Sequence, residues 1–209
     1  MTNHPDIVAI GASAGGLEAI EALLMRLPPD LPAAVLVVLH RPPERTSFLP
    51  GILTRLMRMR VVVAHHGDRL EHATCYLGEP DTHLTVGPGA TVQLLPDSFY
   101  RVHNIDALFQ SLAHHAGPRT IGVVLSGMMK DGSFGLKAIK DAGGLAMVQS
   151  PEEALFREMP QNAIAYDGPI DFVGPIDALA AEICRRVGVN QHAAATSAPD
   201  DVPRPVPGR

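Results

Sequence analysis

Two short stretches of this chain, Ile7–Ile10 and Ala33–Leu39, are apolar without interruption. Continuous runs of that length, unlike alternating ones, suit strands buried on both faces of a parallel sheet. Between them Leu17, Ile20, Leu23, Leu24 and Leu27 recur at helical spacing until Pro28-Pro29 stops the pattern. The same logic predicts helices over Phe48–Met57, over Ser133–Ala142 up to Gly143-Gly144, and over Pro160–Ala165. Another is expected from an Asn104 cap through Leu108, Phe109 and Leu112 to Gly117-Pro118. A last one starts at Pro175 and carries Ile176, Leu179, Ile183 and Val187. Arg60–Ala64, Thr120–Leu125, Leu145–Gln149 and Asp171–Val173 complete the predicted strands. The middle differs. Thr74–Leu77, His83–Val86 and Thr91–Leu95 are short and separated by Gly78 and Gly87-Pro88-Gly89, which predicts partly antiparallel strands or a hairpin. Strand–helix alternation on both sides of this segment predicts one α/β domain: three layers, α/β/α, doubly wound on a mostly parallel sheet, with a short antiparallel hairpin excursion. From Gly188 the chain is rich in Ala, Pro, Asp and Gln, and a disordered tail is expected.

Composition narrows the function classes. With 46% hydrophobic and 19% charged residues, 209 residues suffice for one aliphatic core, and aromatics supply only 4%. The net charge of −5 argues against a general nucleic-acid binder. Cys75 and Cys184, far apart and outside any CxxC pair, exclude a disulfide scaffold and a cysteine-only zinc site. No apolar run approaches a membrane span, and the N-terminus lacks the basic-then-apolar order of a signal peptide. A cytoplasmic protein without membrane insertion is expected.

Ligands of an open parallel sheet bind outside the carboxyl ends of its strands. Three polar residues sit just past predicted ends: Ser13, His40 and Asp131. Ser13 lies in Gly11-Ala12-Ser13-Ala14-Gly15, a G-x-S-x-G between strand and helix. That is the context of a nucleophile elbow, and free N–H groups at the helix start could serve a developing oxyanion. The same turn could instead bind a phosphate, with Ser13 as a helix cap. His40 could accept the serine proton or be an ordinary loop histidine among ten. Asp131 could orient the imidazole or merely cap a helix. Together they form a Ser–His–Asp set spread over separate strand ends. The chain order Ser, His, Asp is not that of an ordinary α/β-hydrolase.

These residues and their neighbours resemble the catalytic domain of the bacterial chemotaxis protein-glutamate methylesterases (CheB type). The motifs that carry the resemblance are Ile10-Gly-Ala-Ser-Ala-Gly-Gly16, Val38-Leu-His-Arg-Pro42, Thr46-Ser-Phe-Leu49, Cys75-Tyr-Leu77, Gly87-Pro-Gly89 and Asp106-Ala-Leu-Phe109. Further along come Gly122-Val-Val-Leu-Ser-Gly-Met128, Asp131-Gly132, Val148-Gln149, Phe156-Arg-Glu-Met-Pro160 and Ala163-Ile164. The resemblance implies Ser13 as nucleophile, His40 as general base and acid, Asp131 as orienting carboxylate, and backbone N–H groups of Met128 and Ala14 as oxyanion donors. It implies hydrolysis of glutamate γ-methyl esters on the cytoplasmic domain of chemoreceptors, releasing methanol, with deamidation of receptor glutamines in some members. No metal or organic cofactor is implied. The catalytic domain would occupy residues 1–187, with the tail at 188–209. The first strand begins at Ile7, so a receiver domain is not expected before it, and a separate regulator protein is a candidate partner. Two departures stand out. Ala14 replaces a frequent Thr, and Met129 replaces a glycine, which matters if that position needs a positive φ.

Two other readings compete. One is a docking module with an altered site and no turnover. The other is a related esterase acting on a different substrate. The pairs His65-His66 and His114-His115 point to opposite sides of their elements and make poor bidentate metal sites. Arg55, Arg58 and Arg60 are read as a solvated basic face. No G-x-G-x-x-G or G-x-x-x-x-G-K-[ST] occurs, so nucleotide readings lack their fingerprints.

Overall fold

A computed structural model describes residues 6–40, 49–79, 82–96, 103–166 and 168–189. The strands are β1 (Ile7–Ala12), β2 (Ala34–Leu39), β3 (Arg60–Val63), β4 (Thr74–Leu77), β5 (Thr82–Gly87), β6 (Thr91–Pro96), β7 (Thr120–Val124), β8 (Leu145–Gln149) and β9 (Phe172–Gly174). The helices are α1 (Gly16–Leu24), α2 (Leu49–Leu56), α3 (Asn104–His115), α4 (Ser133–Asp141), α5 (Glu158–Ala165) and α6 (Ile176–Arg186). A 7-stranded sheet runs β3-β4-β2-β1-β7-β8-β9, parallel at every pairing. β5 and β6 form a separate antiparallel hairpin. The three-layer, doubly wound expectation and its hairpin therefore hold.

Burial explains the unbroken apolar runs. Val8, Ile10 and Ala12 of β1 pack with Ile20 and Leu23 of α1 and Leu179 and Ile183 of α6. Ile7 and Ala9 face the other way, against Ile105, Leu108 and Phe109 of α3 and Leu136 and Ile139 of α4. Leu84, Val86 and Val92 lay the hairpin onto that second layer. Each such side chain contributes about 1.5–3 kcal/mol on burial, against about 0–1 for an exposed ion pair, so these two clusters hold the sheet.

Several sequence expectations shift. Thr74–Leu77 does not belong to the antiparallel excursion. It is β4, inserted in parallel between β3 and β2. Asn104 is not a cap but the first residue of α3; His103 precedes it and makes no side-chain cap bond. α5 starts at Glu158, ahead of the predicted Pro160. Proline is tolerated there because first-turn N–H groups have no helical partner. β9 starts after Asp171, whose carboxylate accepts the Ala146 N–H at 2.7 Å and the Lys140 ammonium at 2.8 Å. Phe48, much of the loop after His40, and the tail from residue 190 lie outside the described residues. No helix among the described residues is long and apolar enough to cross a membrane.

The topology makes the site. From β1 the chain fills one side of the sheet with β2, β4 and β3, then the other with β7, β8 and β9. β1 is thus the switch strand, and the crevice lies where β1, β2 and β7 end.

Candidate active site

Ser13 is the first residue past β1 and His40 the first past β2. Ala12 and Leu39 are register partners, so the two leave adjacent strand ends. The His40 N–H donates to Ala12 O at 3.0 Å, and the Ser13 N–H donates to Ser126 O, past the end of β7, also at 3.0 Å. Ser13 is therefore anchored on both sides. Gly15 takes φ 63° to turn the chain into α1, and the Gly16 N–H closes the turn on Ser13 O at 2.8 Å.

Ser126 and Gln149 hold this turn from behind. Ser126 Oγ donates to Ala14 O at 2.9 Å and accepts the Phe156 N–H at 3.0 Å. Gln149 Oε1 accepts the Ser126 N–H at 2.9 Å. The chain at Gly127 comes so close to Ser13 that an added Cβ would stand 2.9 Å from Ser13 Cβ and 2.7 Å from Met159 Sδ. Only glycine fits there. The N–H groups of Met128 and Ala14 have no acceptor among the described residues. Met129 does adopt the left-handed conformation at issue, with φ 68°. Its carbonyl accepts the Asn162 side-chain amide at 2.6 Å, which ties the loop to α5.

Asp131 lies between β7 and α4 and is 3% exposed. Its Oδ2 sits 2.7 Å from His40 Nε2. The ring N–H is not aimed along that line, so this is a close polar contact and not an aligned hydrogen bond. Nδ1 is then the ring nitrogen left to take a proton from Ser13. Among the described residues no hydrogen bond joins the Ser13 hydroxyl to His40; such bonds often tighten only with substrate. Asp131 does cap a helix, but α3 and not α4: its oxygens accept the N–H groups of Ile105 and Asp106, each at 3.0 Å.

Asp106, quoted from the sequence only as part of a motif, returns the favour. Its Oδ1 accepts the N–H groups of Gly132 at 3.0 Å and Gly135 at 2.7 Å, at the start of α4. Burial pushes its carboxyl up to about 6, with the Asp131 charge adding to the rise and the Gly135 N–H opposing it. A cavity of about 520 Å³ opens on this side, lined by His103, Asp106, Gln110, Lys130, Ser133 and Tyr166 among others. His103, Asp106 and Asp131 bring potential ligand atoms within 4.8 Å of one another. Both carboxylates are already engaged by backbone N–H groups and Lys130 shares the pocket, so we assign them to helix capping and not to a metal.

Apolar groups rim the site: Met128 is 50% exposed, Met129 58% and Leu155 71%. The paired histidines lie elsewhere. His65 and His66 follow β3 at the sheet edge, where His66 Nδ1 accepts the Leu94 N–H at 3.3 Å. The His114 and His115 rings stack edge-on, 4.5 Å apart. In the basic cluster, Arg60 is matched by Glu71 at 3.0 Å.

Sequence reasoning singled out Ser13, His40 and Asp131 because each follows a recognisable strand. It missed Ser126, Gln149 and Asn162 as supports. Their partners are 23 to 112 residues away, and no local pattern announces them.

Comparison with known proteins bears on this arrangement. The family model described as CheB methylesterase matches residues 8–183. A protein-glutamate methylesterase/protein-glutamine glutaminase of Burkholderia lata is 38% identical over 197 residues, covering 90% of this chain and 53% of that protein. A protein of the same name from Geobacillus kaustophilus is 38% identical over 188 residues, with 87% of this chain and 54% of its own length covered. The chain thus spans about half the length of the curated relatives it matches. The crystal structure of the Thermotoga maritima CheB methylesterase catalytic domain superposes with a TM-score of 0.79 at 28% identity, covering 87% of this chain and 98% of that one. With the family model spanning nearly all of the described fold, this chain belongs to the CheB methylesterase family.

Proposed function

We propose that this protein hydrolyses glutamate γ-methyl esters on the cytoplasmic domain of chemoreceptors. The observation that carries the reading is the convergence of Ser13, His40 and Asp131 on the ends of β1, β2 and β7, with His40 Nε2 2.7 Å from Asp131, in a chain of this family. The Ser13 hydroxyl attacks the ester carbonyl while His40 Nδ1 takes its proton. The N–H groups of Met128 and Ala14 receive the oxyanion. The C–O bond to methoxide breaks, and His40 returns the proton to release methanol. Water, deprotonated by His40, then cleaves the Ser13 ester, leaving a free glutamate side chain and regenerating the hydroxyl. Asp131 stabilises the imidazolium in both halves. No step uses a metal or organic cofactor. Glutamine deamidation by the same route, with ammonia leaving, accords with the names its relatives carry. The exposed methionines and Leu155 around the crevice suit a protein substrate. We place this chemistry in the cytoplasm.

The test is methanol release from methylated receptor membranes by this protein and by Ser13→Ala. Release that falls by about 10⁶ in kcat in the variant supports the reading. One observation favours a second reading, a docking module without turnover: the Ser13 hydroxyl has no bond to His40. That reading predicts receptor binding by both proteins and methanol from neither, a result that defeats the hydrolase.

A further inference from the structure

Two carboxylates from different elements clasp each other's helices beside the candidate active site. Asp131 precedes α4 but accepts the first N–H groups of α3, those of Ile105 and Asp106. Asp106 lies on α3 but accepts N–H groups at the start of α4, those of Gly132 just before it and Gly135 in its first turn. The Gly132 N–H is shared, donating to Asp131 Oδ1 at 2.9 Å and to Asp106 Oδ1 at 3.0 Å. The arrangement requires close backbone approach: a Cβ at Gly135 would stand 3.2 Å from Asp106 Oδ1 and 2.5 Å from Phe109 Cβ. An ordinary cap needs one carboxylate per helix start and no such reciprocity. Here a second buried acid is locked against the acid that serves His40.

We propose that Asp106 is a positioning residue for the Ser13–His40–Asp131 site: it holds Asp131 against His40, and its charge adds to the negative field around the imidazole. The proposal deepens the hydrolase reading and rests on it for its kinetic arm only.

The surroundings fit this role. Asp131 and Lys130 face Asp106 from the β7–α4 loop, and Tyr166 lies across the cavity after α5. His103 Nδ1 stands 3.6 Å from Asp106 Oδ2 and 4.0 Å from Asp131 Oδ1. β5, packed on α3, adds His83, which is buried. On α4, Lys137 pairs with Asp141 and Lys140 with Asp171. Two like charges converging on one N–H do not both ionise with ease. Burial and Asp131 raise the Asp106 carboxyl to about 6, so it ionises across the same range in which an imidazole changes charge. Above that range Asp106 is an anion beside Asp131. Below it, a neutral Asp106 can donate a hydrogen bond to Asp131 and draw charge away from His40.

The variant Asp106→Asn keeps an oxygen for the Gly132 and Gly135 N–H groups and removes the charge, with its NH₂ in the Oδ2 place beside His103. Its kcat/KM against pH is measured on methylated receptor and on a small generic ester, next to the unsubstituted protein. The acid limb is expected to move to lower pH by about 0.5–1 unit, with kcat down about tenfold. A purely structural cap would leave that profile in place. Wild-type kcat and an unmoved limb in a folded Asp106→Asn variant overturn the proposal. If the variant does not fold, the unsubstituted protein decides. NMR titration of the His40 ring is expected to show an extra step at the midpoint of the Asp106 carboxyl, and a ring that titrates without it overturns the proposal. This arm needs no substrate. If neither ester is turned over, the hydrolase reading falls while the ring titration still judges the link from Asp106 to His40.

Discussion

Replacing Asp131 by Asn and by Ala separates the two loads on that carboxylate. Oδ1 accepts the N–H groups of Asp106 at 3.0 Å and Gly132 at 2.9 Å, while Oδ2 accepts that of Ile105 at 3.0 Å and faces His40 Nε2 at 2.7 Å. In Asp131→Asn the amide oxygen can take the Oδ1 place and keep the first two bonds. Its NH₂ then lies at the Oδ2 place, donor against donor toward Ile105 and His40. The lost cap bond costs about 1–2 kcal/mol. The imidazole answers by moving its proton to Nδ1, the nitrogen that should accept from Ser13, and kcat is expected to fall by about 10⁴. Asp131→Ala strands the N–H groups of Ile105 and Asp106 where the site is 3% exposed and water has little access. At about 1–3 kcal/mol for each orphaned group, and about 2–4 °C in Tm per kcal/mol at this chain length, melting should drop on the order of 10 °C. Methanol release gives the first quantity and circular-dichroism melting the second. An Asn variant that melts a few degrees low yet retains more than about 1% of kcat would refute the assignment of Asp131 to His40.

Met129→Gly should stabilise the protein. The left-handed φ of 68° costs a non-glycine residue about 1–2 kcal/mol, and glycine's extra freedom when unfolded returns about 0.4–1. The Asn162 bond is to the backbone carbonyl and survives, so Tm should rise by about 1–4 °C; an unchanged or lower Tm contradicts the strain argument. Cys75 is fully buried and burial pushes its thiol up to about 12, so at pH 8 almost none is thiolate. Alkylation followed by mass spectrometry should label it only after unfolding, and rapid labelling of the native protein would place Cys75 outside the core.

Much of the architecture could be read from neighbours in sequence. Ile7–Ile10 and Ala33–Leu39 are unbroken because both faces of β1 and β2 are covered, and that requirement is visible residue by residue. The strand ends then exposed Ser13, His40 and Asp131 as the polar residues next to apolar runs. Even the demand at position 129 was visible as a condition, since a positive φ belongs to a single residue.

Other features have no local trace. Thr74–Leu77 has the length and turn-flanked context of a hairpin strand. Only the open slot between β3 and β2 decides that it pairs in parallel with both. Asn104 has the side chain of a cap, yet α3 is capped by Asp131, 26 residues from the Ile105 N–H it accepts. Asp106 looks like one acid on an amphipathic helix until α4 packs against α3 and supplies Gly132 and Gly135. Elements form from contacts within a few residues, which patterning records. Strand pairing, reciprocal caps and the charge around His40 depend on which distant groups share a desolvated space, and that is settled only when the layers close.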